Sequence, residues 1–302
     1  MEEIMKVFYN NKYAASKYAF DTTRKSLHIA GSMIEYPIQG ATLTDPTEYE
    51  PVAEEIVGIV HSDQYVKDVK TGGPLGGSQG FTWDPGIYTM ALAHASGLVG
   101  AVEAVHNGDP VAGSLSSGLH HADHDGGAGF CTFNGLAVAA MRATDLGYRN
   151  IAIVDFDAHG GGGTYSITQK FLPDTTFQVD VVVSAFDTYS VKDSKSNINI
   201  LKGSAGDKDY MDAITNAMGI VAKNRPDFII YNAGMDPINA GYSRHSLAYR
   251  EELVAEVCLA LEVPTIFALA GGYTWGSTSM DELVNLHRLT IRSFAESTLP
   301  KD

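Results

Sequence analysis

At 302 residues, 44% of them hydrophobic and 19% charged, the chain holds enough apolar material for a substantial core and too much for a disordered protein. A formal net charge of -15 disfavours a nucleic-acid partner or an anionic membrane surface and attracts cationic ligands only weakly. Two cysteines, Cys131 and Cys258, leave no disulfide framework and no four-cysteine zinc site, while the acidic start Met1-Glu2-Glu3-Ile4-Met5 and the lack of a bilayer-length apolar run read as a soluble, cytoplasmic protein.

In chain order, strand-like apolar runs fall at residues 6–9, 151–155, 179–184, 227–232 and 264–270. Helix-like stretches fall at 51–60, 85–106, 135–146, 209–223, 246–261 and 280–297, and Gly- and Pro-containing surface loops at 71–80 and 190–206. This alternation predicts one α/β domain over residues 1–302, a mostly parallel sheet with helices on both faces. In such sheets the ligand sits outside the carboxyl ends of the strands. Polar residues follow four of these strands, at Asp155 to His159, Asp187, Asp236 and Tyr273, so one rim gathers them.

The run Ile151 to Val154 reads as a buried strand that enters Asp155-Phe156-Asp157-Ala158-His159 and then four glycines, 160–163. On a continuing strand Asp155, Asp157 and His159 share a face, and a divalent cation would offset the cost of burying two carboxylates beside an imidazole. The same letters fit a helix N-cap cluster with a surface histidine. His120 and His121, in the stretch Gly118 to Asp125, would point apart on a strand but face one cleft from a turn, as a base and a proton donor near neutral pH; a plain His-rich loop fits too. Gly129-Phe130-Cys131-Thr132-Phe133-Asn134-Gly135 turns into a small-residue helix, with Phe130 either core or pocket wall. Asn232-Ala233-Gly234-Met235-Asp236 adds a third carboxylate, and Gly271-Gly272-Tyr273 sets a phenol behind a buried strand. Singly, each of these is equally a capped turn or a half-buried tyrosine.

Taken together and in order, with His61-Ser62-Asp63-Gln64-Tyr65 and Asp84-Pro85-Gly86-Ile87-Tyr88, these segments resemble the histone deacetylase and acetylpolyamine amidohydrolase family, in a bacterial-type, class II-like form of the arginase/deacetylase fold. The resemblance implies that Asp157, His159 and Asp236 hold a catalytic zinc, a ligand set that iron or cobalt also suits. It implies His121 as general base, His120 as its electrostatic or proton-donating partner oriented by Asp155, and Tyr273 as hydrogen-bond donor to the developing oxyanion. Gly129 and Phe130 match the wall of an acyl-lysine tunnel. Asp155, the carbonyls of Asp157 and His159, and the Ser184-Ala185 segment match a monovalent cation site, K+ in this family. Tyrosine at 273, where a weakly active branch carries histidine, implies a working catalyst.

Two departures stand out. Relatives carry Asp or Asn three residues after the ligand histidine to orient the second histidine of the pair; here that position is Gly162, which leaves His121 to find a carboxylate elsewhere, with Asp123 and Asp125 the nearby candidates. An acidic residue that grips the substrate backbone in relatives is matched only poorly, by Asp84, so the substrate need not be a peptide. The expected activity is hydrolysis of an N-acyl, most simply N-acetyl, amine: acetyl-lysine, an acetylpolyamine or a small N-acetyl metabolite. Two other readings stand beside it: a non-catalytic acyl-amine binding protein, to which Gly162 lends some support, and a dimanganese ureohydrolase, which would want a D-x-H-x-D run that the glycines after His159 do not supply. An acidic chain without basic runs argues against a nuclear histone partner, and a homo-oligomer is compatible with everything above.

Overall fold

Eight parallel strands form one sheet in the computed structural model, which describes residues 5–19, 21–117 and 119–298. Residues 1–4 of the acidic start and Gly118 beside the histidine pair lie outside the described residues. In chain order the elements are β1 (Met5–Phe8), α1 (Asp21–Glu35), β2 (Ala41–Thr44), α2 (Glu50–Val60), α3 (Asp63–Thr71), α4 (Gly86–His106), β3 (Val111–Ser114), α5 (Gly135–Asp145), β4 (Ile151–Asp155), α6 (Gly162–Phe171), β5 (Thr176–Val182), β6 (Asn197–Ile200), α7 (Asp207–Asn224), β7 (Phe228–Asn232), α8 (Arg244–Ala260), β8 (Thr265–Ala268) and α9 (Met280–Thr298). The sheet order is β2-β1-β3-β8-β7-β4-β5-β6. The expectation of a mostly parallel sheet is met by one in which every described pairing is parallel.

Alternate residues of the central strands feed two cores, as a period of two demands. Val7, Val111, Ala152, Val154, Ile229, Tyr231 and Phe267 pack with α1, α7, α8 and α9 on one face. Phe8, Ala112, Ile151, Ile153, Ile230 and Ile266 pack with α4 and α5 on the other. A third cluster joins α2 and α3 to the outer side of α4 through Ile56, Val60, Tyr65 and Val99. No helix among the described residues is long and apolar enough to cross a membrane.

Several elements escape the sequence reading for physical reasons. β2 and β6 are four-residue edge strands, and β6 carries two asparagines inside what reads as a loop. The start of α6 is hidden because Gly162 and Gly163, poor helix formers, open it. The register matters most for function. Asp155, Asn232, Ala268 and Ser114 stand side by side at the carboxyl ends of β4, β7, β8 and β3, so the segments that leave those strands emerge next to one another.

Candidate active site

The strand-face argument for Asp155, Asp157 and His159 fails in detail. β4 ends at Asp155, and the chain then turns, each carboxylate catching a backbone N–H two residues on: Asp157 N donates to Asp155 Oδ1 at 3.2 Å and His159 N to Asp157 Oδ1 at 2.9 Å. Asp155 thereby turns away from the other two. Its Oδ2 lies 2.8 Å from His120 Nδ1, and its Oδ1 accepts from Asn232 Nδ2 at 2.9 Å. Asp157 and His159 instead meet Asp236, which opens a short 3-10 turn after β7. Ligand atoms of these three all lie within 4.8 Å of one another, with His159 Nδ1 at 3.0 Å from Asp157 Oδ1 and 3.5 Å from Asp236 Oδ2.

This donor set fits a divalent cation. Asp157 Oδ2 and Asp236 Oδ1 are buried and have no hydrogen-bond partner among the described residues, and both would collide with any Cβ placed on Gly271. Gly271 has φ +57°, a left-handed conformation that favours glycine, and without a Cβ its backbone leaves open the space the two oxygens face. Burial works against a charged His159 imidazole, yet its hydrogen bonds to Asp157 and Asp236 raise its pKa to about 10. Burial and the neighbouring Asp157 raise Asp236 to about 6. Two buried carboxylates beside an imidazole suit a metal with oxygen and nitrogen ligands.

His120 and His121 occupy a turn, as their joint use requires, with ring centroids 3.9 Å apart, and both line a cleft with Asp157, His159 and Tyr273. Asn134, the N-cap of α5, ties this turn down through Nδ2 to Ala122 O at 2.8 Å. His61 braces it from behind, its Nδ1 donating to Asp123 O at 2.8 Å and its Nε2 accepting from Asn134 N at 2.9 Å. Burial lowers His120, but Asp155 and Asp157 outweigh it and raise the imidazole to about 9. Burial and the charge of His120 push His121 down to about 4.

The carboxylate facing His121 is neither Asp123 nor Asp125. Asp123 accepts from His124 N, and Asp125 is 81% exposed. Asp187 takes the place, its Oδ2 2.7 Å from His121 Nδ1. Its position after a strand was a visible signal, but nothing in the sequence connected it to His121. Phe186 beside it was also missed; its ring stands edge-on to those of His121 at 4.8 Å and His159 at 5.8 Å. Gly129 lines the cleft, while Phe130, at φ 64°, stacks on Phe81 and stands edge-on to Tyr273 at 6.2 Å. Tyr273 follows the two glycines as expected and stacks on Trp275 at 4.1 Å. Asp84, just ahead of α4, accepts from Gly86 N at 2.7 Å and from Ser16 Oγ at 2.7 Å.

The model of the histone deacetylase domain matches residues 21–288, nearly the whole of the chain. The chain belongs to the histone deacetylase family. Histone deacetylase 15 of Arabidopsis thaliana is 28% identical over 269 residues, 78% of this chain and 46% of that protein, so this chain spans less than half its length. Acetylpolyamine amidohydrolase of Mycoplana ramosa is 38% identical over 84 residues, 28% of this chain and 25% of its own. The crystal structure of acetylpolyamine aminohydrolase from Burkholderia pseudomallei shares the fold with a TM-score of 0.78 at 15% identity, over 96% of this chain and 98% of that one. Membership of the deacetylase family supports acyl-amine hydrolysis as the general class of reaction and a metal as its cofactor.

Among the buried ionisable groups of this deacetylase-family domain that escaped the sequence reading are Lys25 and Asp180. Lys25 on α1 is fully buried, with Nζ bonded to Thr22 O and, at 2.8 Å, to Ser117 Oγ; burial lowers its pKa to about 7 against the pull of Asp236 and Asp157. Asp180 on β5 pairs in register with Asp155, and burial and that neighbour raise its carboxyl to about 8. The unfolded chain titrates this group near 3.9, so between about pH 4 and 8 the unfolded state binds fewer protons than the native one and stability falls as pH rises. Asp180→Asn is expected to remove that share of the slope. Urea midpoints of wild type and variant across this pH range check it, and parallel curves would refute it.

Proposed function

We propose that the chain is a zinc-dependent amidohydrolase that cleaves an N-acyl, most simply N-acetyl, amine to a carboxylate and a free amine. The observation that carries this reading is the convergence of Asp157, His159 and Asp236, with their orphaned oxygens, on the same cleft as His120, His121 and Tyr273. Asp157, His159 and Asp236 are the residues that would hold the zinc; when bound it supplies polarisation of the acyl carbonyl and a water of lowered pKa. Iron(II) or cobalt(II) suits the same donors.

The chain's own groups do the rest. Burial and the charge of His120 hold His121 towards its neutral form, so it is the base that takes a proton from the attacking water. His120, held towards its charged form by Asp155, stabilises the anionic centre and gives its proton to the departing amine; the proton that His121 took from the water then passes on to His120 or to solvent, which restores both imidazoles. Burial, Asp236 and Asp157 push the Tyr273 phenol well above its usual range, so it remains a donor to the developing oxyanion. Phe186, Gly129 and Phe130 form the approach for the acyl chain. Val183 N and Ser184 N both donate to Ala158 O at 2.9 Å, which brings the Ser184-Ala185 segment against the Asp157 to His159 turn; a K+ ion held by Asp155 and the local carbonyls completes the proposal.

The test is acetate release by the zinc-loaded protein from a panel of acetylated peptides, free acetyl-lysine, acetylpolyamines and small N-acetyl amides. Turnover that a hydroxamate stops is the expected result. Stoichiometric metal with no turnover on any member, including longer acyl groups, would leave a binding protein instead.

A further inference from the structure

We propose that Asp187 is the positioning residue of the His121 base, supplied from the loop after β5 instead of from the glycine run that opens α6. This rests on the catalytic reading above and adds to it the group that sets the tautomer and direction of His121. The geometry is specific. Asp187 Oδ2 lies 2.7 Å from His121 Nδ1 and accepts Gly163 N at 3.2 Å, so one oxygen ties the imidazole to the first turn of α6. The backbone of the loop is fastened to the same run: Gly160 N donates to Phe186 O at 3.0 Å and Gly162 N to Asp187 O at 3.1 Å.

Gly162 makes the exchange possible. A Cβ there would collide with Asp187 Oδ1 and stand 2.6 Å from Asp187 O and 2.8 Å from Asp187 Cγ. The backbone at 162 is not left-handed, so contact with the 187 loop, and not conformation, is what bars a side chain. The space a residue at 162 would fill is filled by Asp187. Asp187 itself sits at φ 55°, and its side chain is 27% exposed, so the carboxylate faces His121 from the solvent side of the cleft. Phe186, next in the chain, lies edge-on against His121 and His159, and the same short loop therefore sets both the wall of the cleft and the orientation of the base.

The experiment compares Asp187→Ala and Asp187→Asn in the full-length, metal-loaded protein. Asp187→Ala is expected to lower kcat about 10- to 100-fold with KM changed less than about threefold and metal content unchanged, the signature of a group that acts through a neighbour of the reacting atoms. In 15N-resolved NMR spectra of histidine-labelled protein, His121 is expected to be an Nδ1-protonated tautomer in wild type and a mixture in Asp187→Ala. Asp187→Asn keeps an acceptor for both His121 and Gly163 N–H, so it should preserve the tautomer and fall between the other two in kcat. A role confined to capping α6 would lower the melting temperature of Asp187→Ala while leaving kcat and the His121 tautomer as in wild type, and that result overturns the proposal. The NMR comparison needs no substrate. An absence of turnover on the panel thus speaks against the catalytic reading, and an unmoved tautomer speaks against Asp187.

Discussion

Asp157→Ala is expected to abolish acyl-amine hydrolysis, by more than about 10³-fold in kcat, because the several kcal/mol a metal contributes to the transition state depend on its full ligand set. Asp157 is 1% exposed, its Oδ1 orients His159 through two contacts, and its Oδ2 is one of the two orphaned oxygens. Removing it would leave two of the three proposed ligands, one of them no longer held in direction. Removing Asp157 relieves its repulsion with Asp236 but also gives up its attraction to His120 and its bonds to His159, which hold the Asp157 carboxyl well below its ordinary range, so the metal-free variant should be somewhat less stable than the metal-free wild type while remaining folded. Metal content by elemental analysis, turnover, and urea midpoints in the presence of chelator measure the three expectations separately. Retained turnover at wild-type level would remove Asp157 from the site. A change in ligand affinity alone, with no turnover to lose, would point to a binding protein.

The second large effect concerns the fold beneath the site. Arg250 on α8 is completely buried, and its guanidinium donates to Glu251 Oε1 at 2.7 Å, to Phe156 O at 2.8 Å and to the Tyr210 hydroxyl at 3.0 Å. Phe156 is the residue between Asp155 and Asp157, so Arg250 supports the turn that carries both carboxylates. Tyr231 Oη also donates to Glu251 Oε1, at 2.8 Å. Arg250→Met is expected to cost about 3–5 kcal/mol because it strands Glu251 as a buried, uncompensated charge. Arg250→Met with Glu251→Leu should recover most of that loss, since a buried ion pair exchanged for apolar groups of similar volume is often neutral. The double variant should still hydrolyse its substrate more slowly than wild type, because the Phe156 carbonyl has lost its donor. Denaturant unfolding of the two variants, with kcat for the second, tests this; equal stability of the single variant and wild type would refute it.

The sequence carried the central features where a buried strand leads directly into chemistry. β4 announces itself as a continuous apolar run because both of its faces are covered, and the polar residues after it were legible as a cluster although the geometry is a series of side-chain-capped turns and not an extended strand. Asp236 and Tyr273 were legible because each follows such a run. The carboxylate opposite His121 was not, since Asp187 lies 66 residues away and only the packing of the 187 loop on the glycines makes it a neighbour. Lys25 was invisible for the opposite reason. A lysine on an amphipathic helix such as α1 normally faces water, and only the tertiary arrangement shows that its ammonium is enclosed and bonded to Thr22 and Ser117. The departure at Gly162 was seen, but its compensation required three dimensions.

The parallel register described above also sets an order of events during folding. β3 pairs with β8 across more than half the chain, Val111 against Thr265, and β4 pairs with β7, Ile151 against Phe228. Pairings so distant in sequence form slowly, because the entropy of closing the intervening chain is lost before any contact compensates it. Asp157 and His159 leave β4 while Asp236 leaves β7, so the three donors become neighbours only after that pairing is complete. A cation held by these three donors, as proposed above, would therefore arrive late, unable to nucleate the sheet and able only to hold it once formed. It should stabilise the protein by slowing its unfolding while leaving the rate of folding as it was.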